Sequence, residues 1–193
     1  MDTGLYDGSS LLKEAAKKHG INLSVLVAET SLWANPEVHR QLLKDNKNGA
    51  FYPNVRRAKK GEGIETLVGG VRLDGNTYAN YAIKYAIGIP PKSEGKIIGF
   101  ETCHIWPLTC YDEKYHTAIP NLVLLPAPLA SLTDHDSEIQ AILQYRSFEL
   151  YKWIPNGKQR PQKPENYPTC WRRPFEFTEK IEKSIRNSRN RRL

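Results

Sequence analysis

The chain has no apolar run long enough to cross a bilayer, and its first ten residues, MDTGLYDGSS, carry no charged-then-apolar leader. A spanning helix and a secretory signal are therefore not expected, and the expected location is the cytoplasm. Cysteine is scarce. Cys103, Cys110 and Cys170 form no CxxC pair, which excludes a disulfide scaffold and argues against a structural zinc knuckle. A zinc shared by Cys103 and Cys110 with His116 or His135 is the weaker alternative, because structural sites bring their ligands in close pairs. No internal repeat and no sustained heptad is present, so solenoids and coiled coils are excluded. Negative charge is in deficit: 21 Asp and Glu stand against 28 Lys and Arg, a net +7, which favours a polyanionic partner.

What remains is a globular composition. A hydrophobic fraction of 39% in 193 residues is enough for one sizeable core, or a core with a small accessory unit. The chemistry concentrates between Gly99 and Trp153. A β-type run, KIIGFETCHIW, carries His104 near its end; a polar loop follows; Asn121 opens a second apolar run, NLVLLP; and ALASLTDH reads as a short helix holding Asp134 and His135. A neutral imidazole at His104 is suited to taking a proton from water near neutrality. Asn121 accepts through its carbonyl and donates through its amide, so it would hold the histidine ring or its strand. Asp134 is a hard oxygen ligand of the kind Mg²⁺ or Mn²⁺ prefers, whereas His135 suits a softer ion.

These residues, CHIWP, then NLVLLP, then LTDHD, resemble the HNH nucleases. The resemblance implies a ββα-metal hairpin-plus-helix motif in an α+β protein, hydrolysis of double-stranded DNA, and a divalent metal, Mg²⁺ or Mn²⁺. It places His104 as the general base, Asn121 as the central Asn and Asp134 as the last metal ligand, with His135 one residue off. Cys103 stands where many members carry an Asp or His ligand, and Ala130 stands where two-ligand variants carry the earlier helix ligand; Glu101 or Asp112 would have to supply what Cys103 does not. The form it is most like is a stand-alone HNH-type restriction endonuclease, with a phage or homing nuclease as the near rival. A homodimer would suit a restriction enzyme, since two-fold symmetry cuts both strands of a palindrome alike. The rival of another class is a DNA-binding module without activity.

Along the rest of the chain, 1–90 reads as a mostly helical, DNA-contacting region, 91–154 as the nuclease core, and 155–193 as an irregular Pro-rich segment with a basic tail. Ser9 or Ser10 is expected to cap a helix through LLKEAAKKHG, which Gly20 ends; INLSVLVAETSLW is open between helix and strand; Asn35-Pro36 caps EVHRQLLKDN. This helix pair would either pack or read DNA. In FYPNVRRAKKGEG, the residues Arg56, Arg57, Lys59 and Lys60 would grip phosphates or form a solvated loop. Asp74 or Asn76 caps NTYANYAIKYAIG, with Tyr78, Ala82, Tyr85 and Ala86 on one face. IPPKSEGK marks an internal boundary. His116 reads as a surface or loop-bracing histidine, with reach to substrate or metal as the alternative. Asp136 or Ser137 caps a long helix with Ile139, Ile142, Leu143 and Leu150 as its stripe, on which Arg146 would bind a phosphate or pair with Glu149. Tyr167 and Trp171 would pin the irregular segment to the body.

Overall fold

Asp7 accepts from the Ser9 amide and the Ser10 hydroxyl and so caps the first helix, α1 (Gly8–Lys18). The expected serine caps lie inside the helix instead, because a carboxylate one turn earlier is the stronger acceptor at a positive helix end. The computed structural model describes residues 7–45, 48–89 and 97–190. The segment left open between helix and strand becomes α2 (Leu23–Thr30), started by the Asn22 side chain on the Ser24 and Val25 amides. After it the backbone extends, and Leu32 exchanges both hydrogen bonds with Leu124, at 2.9 and 3.2 Å. α3 (Pro36–Leu43) begins as expected, with Asn35 as cap and Pro36 in the first turn, and buries Val38, His39 and Leu42.

A small sheet follows that the sequence did not disclose. β1 (Val55–Arg57), β2 (Leu67–Val68) and β3 (Val71–Asp74) lie in the order β1, β3, β2, with β1 parallel and β2 antiparallel to β3. The basic stretch taken for a loop is thus partly strand. Asp74, at the end of β3, accepts from the Thr77 and Tyr78 amides and starts α4 (Thr77–Ala86). The buried face of α4 is Ala79, Ala82, Ile83 and Ala86, while Tyr78 and Tyr85 sit at its edge against Tyr52 and Phe51. Small residues let α4 approach closely, so the tyrosines wrap the rim. The boundary expected at IPPKSEGK falls mainly on residues outside those described.

β4 (Phe100–His104) and β5 (Leu122–Pro126) form an antiparallel hairpin in which Phe100 faces Pro126 and His104 faces Leu122. Two short helices, α5 (Ala127–Ala130) and α6 (Leu132–His135), follow directly, and Asp136 caps α7 (Ser137–Tyr151). The chain is therefore mixed α+β. α7 buries Ile139, Ile142, Leu143, Ser147 and Tyr151, whereas Leu150 is only half-buried. The irregular stretch after α7 is tied down backbone to backbone, Arg172 to Ala28 and Phe175 to Trp33, each at 3.0 Å, and Trp171 stands edge-on to Trp33. α8 (Glu179–Asn190) then places Ile181 and Ile185 against α3 and α4. A single buried cluster draws on all three stretches, from Val27 and Trp33 through Leu122–Leu125 to Ile185.

Candidate active site

The hairpin and the loop between its strands are closed by Asn121, which is fully buried. Its Oδ1 accepts from the Trp106 amide at 3.2 Å, and its Nδ2 donates to Thr109 Oγ1 and to the Tyr115 carbonyl, both at 2.9 Å. Its backbone carbonyl accepts from the Ile105 amide. Asn121 therefore binds both arms of the loop and holds the strand end that carries His104; it makes no bond to the imidazole itself.

His104 is half-buried, and its Nε2 lies 3.0 Å from the His116 carbonyl oxygen. A carbonyl only accepts, so Nε2 carries the proton and Nδ1 carries the lone pair. The ring stacks on that of His116 with centroids 5.1 Å apart and planes 13° from parallel. Burial first, and the adjacent His116 ring second, push the His104 pKa down to about 3, so the imidazole is neutral throughout the physiological range. His116 itself has no exposed surface, and its Nε2 donates to Asp74 Oδ2 at 2.9 Å.

A cleft of about 380 Å³ opens beside this ring, lined by His104, Arg57, Glu101, Cys103, Thr133 and Asp134 among others. Asp134 and Glu101 are exposed there. His135 is exposed as well but lies outside the cleft, near Asp7 at the start of α1, so the alternative ligand is carried away from His104. Asp112 is also outside it and closes a turn by accepting from the Lys114 amide. Cys103 lines the cleft but is buried; burial pushes its thiol up to about 12, and the sulfhydryl faces the Glu101 and Ala130 carbonyls at 3.8 and 3.9 Å. A protonated thiol offers nothing to a hard cation. Among the described residues no group of three or more His, Cys, Asp or Glu side chains is arranged around a metal position. The zinc considered for Cys103 and Cys110 with His116 or His135 is likewise not assembled among the described residues.

The basic residues divide in two. Arg57, Lys59 and Lys60 are exposed, and Arg57 lines the cleft. Arg56 instead forks onto Glu62 at 2.7 and 2.8 Å, which holds that carboxylate down to about 2. Arg146 lies over the Trp171 ring at 4.9 Å and 3.5 Å from Glu149, outside the cleft, so its guanidinium is engaged within the fold. Sequence reading missed the joint placement of His116 and Asp74. Asp74 was legible only as a helix cap, and no linear signal connects it to a histidine 42 residues on. Comparison with family models, with characterised proteins and with solved structures finds no match to this chain.

Proposed function

We propose that the chain is a metal-dependent DNA endonuclease of the HNH type, acting as a type II restriction endonuclease, with a phage or homing nuclease as the variant of the same chemistry. The observation that carries this reading is the placement of His104: its Nε2 lies 3.0 Å from the His116 carbonyl oxygen, an acceptor that leaves the lone pair to Nδ1, and the ring lines a cleft shared with Asp134 and Arg57. A neutral imidazole so oriented takes the proton of a water positioned to attack a phosphodiester. Arg57 would hold the flanking phosphate, and Lys59 and Lys60 would add sequence-independent attraction to the duplex.

The donor set does not make an all-protein cage. It fits an ion of the Mg²⁺ kind, which commonly takes one or two carboxylates and completes its shell with water and substrate phosphate oxygens. Asp134 would hold such an ion, with Glu101 as the second exposed carboxylate of the cleft. When bound, the ion would supply charge to stabilise the pentacovalent phosphate and the leaving oxygen. Asn121 contributes by keeping the His104 strand end and the loop carrying the His116 carbonyl in register. Pairing of two copies would let a palindromic site be cut on both strands.

The test is plasmid DNA with Mg²⁺ or Mn²⁺, with and without EDTA, for the native protein beside His104→Ala and Asp134→Ala. Metal-dependent nicking lost in both variants is the expected result. Binding without cutting would leave a DNA-binding module, the reading that the buried Cys103 thiol favours.

A further inference from the structure

We propose that His116 and Asp74 form a positioning pair that fixes the orientation and tautomer of His104; the role rests on the nuclease reading for its purpose, though the pair itself is independent of it. An imidazole at the end of a strand has two freedoms that matter to a base: the tilt of its plane and the direction in which the lone pair points. One residue removes both here. The His116 ring lies nearly parallel to that of His104 at 5.1 Å and sets the plane, while the His116 carbonyl receives Nε2–H at 3.0 Å and sets the rotation within it. What is left is Nδ1, on the opposite side of the ring from that tether.

His116 is in turn immobilised. It is wholly buried, its amide donates to the Asp112 carbonyl at 3.0 Å, and its Nε2 donates to Asp74 Oδ2 at 2.9 Å. Asp74 is fixed by the Thr77 and Tyr78 amides, at 3.0 and 2.8 Å, and by its register opposite Arg57 in the sheet. A continuous run of bonds therefore leads from His104 through His116 to the first turn of α4. Burial opposes ionisation of this carboxylate, but the hydrogen bonds from His116 and from those amides outweigh it and lower its pKa, so it faces the ring as an anion. His116 Nδ1 is buried without a hydrogen-bond partner, so Asp74 is the side-chain partner that holds this ring among the described residues. A pair needed only for stability would not have to place both its ring and its carbonyl on the same neighbouring histidine.

The variants are Asp74→Asn, whose amide keeps one oxygen for α4 but sets an NH₂ group against a donor, and His116→Phe, which keeps a ring and the carbonyl but loses the bond to Asp74. Histidine-labelled protein read by nitrogen NMR gives the His104 tautomer directly, with assignment by His104→Ala. The native chain is expected to show a single Nε2–H form, and both variants a mixture of tautomers. With cleavage present, kcat should fall about 10- to 100-fold at unchanged KM, the usual cost of losing a partner that orients an imidazole. Folded variants with an unaltered His104 tautomer and unaltered kcat would overturn the proposal. Should neither variant fold, native protein showing His104 as Nδ1–H, or as an averaged pair of tautomers, overturns it, and a single Nε2–H form supports it. A native protein that cuts no DNA would defeat the nuclease reading alone, because the NMR comparison still decides the positioning role.

Discussion

Replacing Asn121 by Ala removes three hydrogen bonds from a side chain with no exposed surface. Two of the abandoned partners are backbone groups, the Trp106 amide and the Tyr115 carbonyl, and leaving a buried polar group unpaired costs about 1–3 kcal/mol each. Thr109 Oγ1 keeps its own bond to the Trp106 carbonyl, so its loss is smaller. The vacated volume adds on the order of 1 kcal/mol. The expected destabilisation is therefore about 4 kcal/mol, a large share of the ~5–15 kcal/mol available to a folded domain. Urea unfolding measures it as a fall in the midpoint at constant m-value. Asn121→Asp should be at least as damaging near neutrality: it keeps an acceptor for Trp106 but presents a buried carboxylate oxygen to the Tyr115 carbonyl. Under the nuclease reading, cleavage should also be lost well below the unfolding temperature, because the loop closed by Asn121 carries the carbonyl that orients His104. A loss of less than about 1 kcal/mol at constant m would refute the reasoning, since it would mean the loop is held by something other than this side chain.

His39 is buried against Tyr151 and burial lowers its pKa from 6.5 to about 4, so the unfolded chain takes up the proton first; stability is complete above pH 6.5 and falls as pH drops towards 4, by up to about 1.4 kcal/mol per pH unit. His39→Phe should reduce that slope in urea midpoints measured across the interval, leaving the part contributed by His104, whose pKa is lowered in the same direction. Gly49→Ala should cost about 2–4 kcal/mol in the same assay, because a Cβ there would stand 2.3 Å from His39 Nδ1 on a backbone with φ of +65°. Under the nuclease reading, Arg57→Ala should lower the salt dependence of DNA binding by about one phosphate contact with little change in stability, whereas Arg146→Ala should cost about 1–2 kcal/mol of stability and leave the salt slope unchanged. Equal salt slopes for the two variants would sink the division drawn between them.

Much of the hairpin and its flanking helices was legible because the signals are local. Asn35-Pro36, the Asp136 cap and the β-formers through Phe100–His104 depend on residues adjacent in sequence. The small sheet was not, since β1 and β3 are three and four residues long and pair in parallel across a gap that no turn motif announces. Among the candidate residues, His104, Asn121 and Asp134 were singled out by their order along the chain, and His104 and Asp134 line one cleft. The placement of His135 outside the cleft, the engagement of Arg56 and Arg146, and the burial of Cys103 all depend on what packs against them, and composition carries no trace of that. His116 illustrates the limit best: a histidine in a polar loop reads as exposed, yet it is buried with its ring hydrogen-bonded to an aspartate from a distant strand.

The strand that starts at Leu122 is flanked on both sides, by β4 along one border and by the Leu32 backbone on the other. An excised fragment holding only the hairpin and its helices would lose that second neighbour and bare the amide and carbonyl of Leu124 alongside four aliphatic residues that the intact chain keeps dry. Such a border invites self-pairing into aggregates. The hairpin and helices are thus not a portable cassette: any graft onto another scaffold must bring along the strap around Leu32, or a substitute for it.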